Sequence, residues 1–216
     1  MGAERPKQYL PLAGRPVLYH AVASLCRHDA IEQVIVVLAP GDRFFAQNDW
    51  TEFGAKLVPL FCGGKARADS VFNGLLAARD AIGANDWVLV HDAVRPCLAR
   101  DVLERLIETV RVESTGGLLA LPVVDTLKRG DSSGYVDKTE SRENLWGAQT
   151  PQMFRYRLLL EALHQGNLAD VTDEAGAIER LGLKPRLVMG DSRNLKVTFP
   201  QDLALADTFL RSMESA

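Results

Sequence analysis

The chain is short of several features that mark out whole classes of protein. No apolar run approaches the roughly 20 residues of a membrane span, and "MGAERPKQYL" has no stretch like a secretory signal, so the expected compartment is the cytoplasm. Cysteine is scarce: Cys26, Cys62 and Cys97 have no C-x-x-C spacing and sit beside apolar or strand-like stretches. That predicts reduced, mostly buried thiols rather than a disulfide or zinc framework. The histidines, His20, His28, His91 and His164, are too scattered to suggest a metal site. Positive charge is also in deficit, 25 Lys and Arg against 28 Asp and Glu for a net −3, which argues against a general nucleic-acid surface. There is no internal repeat, no low-complexity tract, and no candidate nucleophile–base pair of the kind covalent catalysis needs.

What is present is the material of one core. With 216 residues, 47% of them hydrophobic, a single domain spanning 1–216 is the simplest reading. Apolar runs rich in β-branched residues recur: "QVIVVLAP" (33–40), "KLVPLFCGG" (56–64), "WVLVHDA" (87–93), "GGLLALPVVDT" (116–126) and "PRLVMGD" (185–191). Continuous hydrophobicity is what strands show when helices cover both faces of a parallel sheet. Helical stripes lie between them, Val71, Leu75, Ala78 and Ile82 in one segment and Val102, Leu106 and Val110 in the next. A final helix is predicted from 199, with Pro200 in its first turn and Leu203, Ala206, Leu210 and Met213 on one face. The order is that of an α/β, doubly wound, mostly parallel sheet. Residues 127–146, "LKRGDSSGYVDKTESRENLW", break the alternation and predict a projecting β-hairpin.

Ligands of open α/β sheets bind beyond the carboxyl ends of the strands. "HDAVRP" follows one such end with His91, Asp92 and Arg95. The structural alternative is that Asp92 caps a turn, Arg95 pairs with it and His91 packs. "GGKARADSVFNGL" is a second end, where Gly63 and Gly64 let backbone approach a ligand, the next helix offers free N–H groups to an anion, and Lys65, Arg67 and Ser70 add donors. Plain turns use the same glycines. "PKQY" and "NLKVT" bring Lys7 and Lys196, each of which could simply be a solvated surface lysine. Thr126 and Lys128 follow another strand, and Thr150, Thr172 and Asp173 lie in "TPQ" and "TDEAGA", the last two being natural helix N-caps. Cations and hydroxyls gathering at strand ends of a slightly acidic chain imply a substrate bearing several phosphates. Phosphoryl-type transfer needs mainly positioning and charge neutralisation.

Seven segments in order, "PKQYLPLAGRPVLYHAV", "GGKARADSVFNGL", "VLVHDAVRPCL", "PVVDTLKR", "LWGAQTPQMF", "TDEAGAIE" and "NLKVTFPQDLALA", resemble the 2-C-methyl-D-erythritol 4-phosphate cytidylyltransferase family across essentially the whole chain. The resemblance implies a Rossmann-like nucleotidyltransferase that joins CTP and 2-C-methyl-D-erythritol 4-phosphate with Mg²⁺, bound mainly through the CTP phosphates and without protein metal ligands. It also implies a homodimer, in which the 127–146 arm reaches the partner's active site. By resemblance Lys7 steadies the triphosphate, Gly64 and Ser70 with Lys65 and Arg67 hold cytosine and ribose, and Ala93 faces the nucleotide. Asp92 and Arg95 sit where ribose, metal-bound phosphate and methylerythritol phosphate meet, and Lys196 lies near both phosphates. Thr126 and Arg142 grip methylerythritol phosphate across the dimer, with Thr150 and Thr172 in support. Lys65 stands where some relatives carry an acid. The family opens with a strand and a glycine-rich "AAGxGxRM" loop, of which only Met1 is present, so the natural chain is expected to extend further at this end. The alternatives are a ribitol-5-phosphate or similar polyol-phosphate cytidylyltransferase and a non-catalytic nucleotide-binding homologue.

Overall fold

All five apolar runs form strands in the computed structural model, which describes residues 5–165 and 167–214. Met1, on which the expectation of a longer chain turns, lies outside them. In order the chain forms β1 (Pro11–Leu12), β2 (Arg15–Pro16), α1 (Val17–Cys26), β3 (Val34–Val37), β4 (Leu57–Leu60), α2 (Arg67–Ala77) and β5 (Trp87–Val90). Next come α3 (Arg100–Val110), β6 (Gly117–Pro122), β7 (Leu127–Gly130), β8 (Val136–Glu140) and β9 (Trp146–Arg155). The remainder is α4 (Tyr156–His164), α5 (Glu174–Glu179), β10 (Arg186–Met189) and α6 (Pro200–Glu214).

The main sheet runs β10-β6-β9-β5, with β10 parallel to β6 and β9 antiparallel to both its neighbours. The α/β class expected from the sequence is present, and the departure from parallel order is confined to β9. Because side chains alternate across a strand, one apolar run serves two layers. Leu118 and Phe154 pack with Leu159, Leu163 and Ile178 of α4 and α5, while Leu119 and Met153 pack with Val102, Leu103 and Leu106 of α3. In β5, Val88 and Val90 join the first layer, Trp87 and Leu89 the second. Truncating a fully buried leucine such as Leu119 in a core of this kind costs about 2–5 kcal/mol.

β3 and β4 form a separate parallel pair under α1. Among the described residues β3 is paired only with β4 and β5 only with β9, so each has one edge without a strand beside it. Helix α2 packs on β3 and also contributes Leu75 to the layer over the main sheet. Its Gly74 costs helix propensity but is required, because a Cβ there would come within 2.5 Å of Val37 Cγ2. The stripe predicted through Ile82 is interrupted when α2 ends at Ala77, yet Ala78 is buried and Ile82 still packs on the same cluster. β1 and β2 are joined by Ala13 and Gly14, both at positive φ (46° and 78°), a turn whose twist suits a two-residue hairpin. Asp202 accepts from the backbone N–H groups of Thr198 and Phe199, both at 2.7 Å, and fixes the start of α6, whose Ala206 is fully buried with Leu203, Leu210 and Met213 alongside. Cys26 and Cys97 are buried and Cys62 partly so, and all three are free.

The hairpin expected at 127–146 is β7 paired with β8, exposed along almost its whole length. β9 then returns from it to the centre of the sheet. No helix among the described residues is long and apolar enough to cross a membrane.

Candidate active site

At the end of β5 the backbone is fixed by a small hydrogen-bonded ring. The Asp92 N–H donates to Thr150 Oγ1 at 3.0 Å, and Thr150 Oγ1 lies 3.0 Å from His91 Nδ1, while His91 Nε2 lies 3.1 Å from the Arg95 carbonyl. A carbonyl can only accept, so Nε2 carries a proton. Burial pushes the pKa of His91 down to about 4, so the ring is neutral at pH 7 and its Nδ1 receives the threonine hydroxyl. This is the packing role that the sequence left open for it: His91 shapes the loop and offers no charge to a substrate.

The ring aims Asp92 into a cavity of about 260 Å³. Of the predicted residues, Arg67, Asp92, Arg95, Thr150, Thr172 and Lys196 line it. Three cations converge on the one carboxylate: Arg67 Nε donates to Asp92 Oδ1 at 2.7 Å, Lys196 Nζ is 3.0 Å from Oδ2, and Arg95 Nε is 3.6 Å from Oδ2. Burial on its own would raise the Asp92 pKa, but Arg67 and Lys196 outweigh it and hold the carboxyl at about 2. Desolvation lowers the pKa of Arg95. Its NH1 donates to the Asn194 carbonyl at 2.7 Å, while its buried Nε lacks a hydrogen-bond partner. Lys196 differs from the two arginines in exposure, its side chain being 47% exposed.

Four polar residues that the sequence analysis did not single out hold this rim. Gln152 donates to Asp173 Oδ2 at 2.9 Å and accepts from the Ala175 N–H at 2.8 Å, which clamps the first turn of α5 to β9. Asp173 Oδ1 caps that turn through the Gly176 N–H, the structural role anticipated for it. Gln149 donates to the Asp191 carbonyl, and Asn194 donates to the Thr150 carbonyl at 2.8 Å, tying the segment before α6 to β9. Glu174 is fully buried and takes both NH groups of Arg67 at 2.6 and 3.0 Å. Burial raises its pKa, with Arg67 opposing. The signal for these residues was weak: three of them are single amides in segments without an apolar period.

The other predicted residues do not line the cavity. Lys7 is exposed and its ammonium donates to the Thr198 carbonyl at 2.8 Å, two residues from Lys196. Ala93 packs on the cluster under α1. Ser70 accepts from the Gly64 N–H and donates to the Ala66 carbonyl, both at 3.0 Å, shaping the turn before α2. Gly64 is required by the chain itself, because a Cβ would fall 2.3 Å from Asp69 Cβ. Lys65 is exposed on that turn. Thr126 and Arg142 are exposed at the base of the β7–β8 hairpin and do not line the cavity of their own chain. Among the described residues no group of three His, Cys, Asp or Glu side chains could hold a metal ion.

An α/β sheet with cations arranged about one carboxylate at a strand end is a frame that can receive and neutralise phosphates, as a nucleotidyltransferase must. The chain belongs to the 2-C-methyl-D-erythritol 4-phosphate cytidylyltransferase family, whose model matches residues 1–212. It is 57% identical over 211 residues to a 2-C-methyl-D-erythritol 4-phosphate cytidylyltransferase of Dechloromonas aromatica, with 98% of this chain and 92% of that protein aligned. It is 55% identical over 214 residues to the protein of that name from Nitrosospira multiformis, at the same coverage of 98% and 92%. Among solved structures, a 4-diphosphocytidyl-2C-methyl-D-erythritol synthase superposes with a TM-score of 0.87 at 41% identity, covering 95% of each chain. The Francisella tularensis 2-C-methyl-D-erythritol 4-phosphate cytidylyltransferase does so with a TM-score of 0.84 at 34% identity, covering 95% of this chain and 94% of that one.

Proposed function

We propose that the cavity around Asp92 is where the cytidylyl group of CTP passes to 2-C-methyl-D-erythritol 4-phosphate, giving 4-diphosphocytidyl-2-C-methyl-D-erythritol and pyrophosphate. The observation that carries this reading is the set of three cations within 3.6 Å of one carboxylate. In the reaction an oxygen of the 4-phosphate bonds to the α-phosphorus of CTP, and the bond from that phosphorus to the bridging oxygen of pyrophosphate breaks. A phosphate is already ionised at neutral pH, so no base has to remove a proton, in keeping with a neutral His91. The obstacle is the repulsion between two anions.

Lys196 and Arg95 lower that barrier. Held on Asp92, the half-exposed Lys196 ammonium has further N–H groups for a phosphate oxygen, and Arg95, buried beside it, adds positive charge. Lys7 brings a further cation to the same margin beside Thr198 and meets the triphosphate. Gly64, Lys65, Arg67, Ser70 and Ala93 form the nucleotide side, and Thr150 and Thr172 support the acceptor site. Mg²⁺ fits as a guest of the triphosphate: both Asp92 oxygens already hold cations, no group of three potential ligands is present among the described residues, and Mg²⁺ typically takes one or two carboxylates with phosphates and water. When bound, it neutralises phosphate charge.

The β7–β8 hairpin is the dimer arm of a single domain, bringing Thr126 and Arg142 to the acceptor site of a second copy. Its exposed Tyr135 and Val136 support this, since a two-stranded hairpin is marginal in water until something covers it. The compartment is the cytoplasm. The test is pyrophosphate release from CTP and Mg²⁺ with each acceptor. Release with 2-C-methyl-D-erythritol 4-phosphate and none with ribitol 5-phosphate is expected, and the reverse pattern would move the chain to the polyol-phosphate class.

A further inference from the structure

Glu174 opens α5 with no exposed side-chain surface, and its carboxylate is neutralised by one partner, the paired NH groups of Arg67. The remaining edge of the same guanidinium, Nε, is bonded to Asp92. Arg67 thus spans two carboxylates brought together from elements far apart in sequence. Charges alternate from the interior to the cavity: Glu174, Arg67, Asp92, Lys196. Glu174 is itself held in place, because Gln152 of β9 accepts from the Ala175 N–H one residue on. A continuous line of hydrogen bonds runs from β9 through α5 and α2 to the end of β5.

Building on the reading of the cavity given above, we propose that Glu174 is a positioning residue for cytidylyl transfer, acting through Arg67 to fix Asp92 and, through Asp92, the Lys196 ammonium. Glu174 does not line the cavity, and an anion that did would repel phosphates. Placed behind Arg67, it orients the guanidinium without presenting charge to the substrate. Three of the five guanidinium hydrogens are committed to the two carboxylates, so Arg67 is set as a bracket more than as a phosphate grip. Only arginine can serve: a lysine could neutralise Glu174 but could not reach both carboxylates in one plane. Buried ion pairs are weak stabilisers compared with apolar packing, so a purely structural role would be served as well by a pair of leucines.

The test uses the full chain with CTP, Mg²⁺ and 2-C-methyl-D-erythritol 4-phosphate. Glu174→Gln keeps shape and loses charge. Its kcat is expected to fall about 10- to 100-fold, as is usual when a partner orienting a reactive group is removed, with KM for both substrates within about twofold. Arg67→Lys should lower kcat to a similar extent, with any change in KM confined to CTP, and Arg67→Lys/Glu174→Gln should have a kcat no lower than the slower single variant, because the two residues act as one unit. Multiplicative losses, a change in KM with kcat preserved, or an unchanged kcat would each overturn the proposal. If the glutamine variant does not fold, Arg67→Leu/Glu174→Leu removes both buried charges together, and parental kcat in that protein would equally overturn it. Asp92→Asn is assayed beside them: full turnover there would sink the reading of the cavity itself, whereas a loss in Asp92→Asn without one in Glu174→Gln would sink only the positioning role.

Discussion

Asp92→Asn removes one charge and almost no volume at the point where three cations meet. In the folded chain Arg67 and Lys196 overcome the effect of burial and hold this carboxyl at about 2, whereas in an unfolded chain an aspartate titrates near ~3.9. A carboxyl depressed by folding contributes its full stabilisation above the unfolded value and loses it as pH falls through the folded one. A depression of roughly two units amounts to on the order of 2 kcal/mol at pH 7, with about half gone by pH 3. Arg67 keeps Glu174 and the half-exposed Lys196 can turn to water, whereas the buried Arg95 loses the carboxylate beside it, so this figure is the pH-dependent part of the loss. Urea denaturation of parent and variant at pH 7, 5, 4 and 3 measures this directly: the stability gap between them should shrink by about half of that ~2 kcal/mol between pH 7 and pH 3. Turnover at pH 7 should fall on the order of 100-fold, about 2.7 kcal/mol of transition-state stabilisation. Equal stability at pH 7, or a gap that does not change with pH, would refute the electrostatic argument.

Three further outcomes are expected. Lys7→Ala should cut kcat by about 100-fold while leaving the unfolding midpoint within a few degrees, since the side chain is exposed and among the described residues bonds only the Thr198 carbonyl; calorimetry and steady-state kinetics together decide it. Arg142→Ala should raise KM for 2-C-methyl-D-erythritol 4-phosphate about tenfold and leave the CTP value alone, and the opposite selectivity would reverse the role of the arm. His91 is neutral when folded but takes up a proton when unfolded below about 6.5, so the unfolded state gains protons and stability falls as pH drops from about 6.5 to about 4. In His91→Gln that part of the stability profile should flatten, and an unchanged slope would show that another group titrates there.

Where the apolar pattern was continuous, the fold was legible: β3, β4, β5, β6 and β10 lie within the predicted runs, α3 buries its predicted face, and α6 buries Ala206 with Leu203, Leu210 and Met213 partly covered. β9 was not legible, although it pairs with both β5 and β6. Its Gln149, Thr150 and Gln152 are 7%, 5% and 1% exposed, and with Pro151 among them they look like a loop, because hydrogen bonding rather than apolarity justifies their burial. α1 was missed for a different reason. Its residues are buried on nearly every side, which erases the stripe that reveals a surface helix. α5 is six residues long, too short for a period to show.

The sequence by itself determined which residues stand at the strand ends and, through seven ordered segments, the family. It could not determine which of the cations share a carboxylate, because Arg67, Asp92, Glu174 and Lys196 come from four separate segments and a charge pair depends on distances of about 3 Å that chain order does not encode. Tertiary structure made that choice. It set Lys196 on Asp92 and Lys7 on a backbone carbonyl beside it, made His91 a neutral brace, and left Thr126 and Arg142 outside their own cavity. Above all it buried Glu174, a residue whose sequence context reads as a plain helix start and whose partner lies 107 positions earlier.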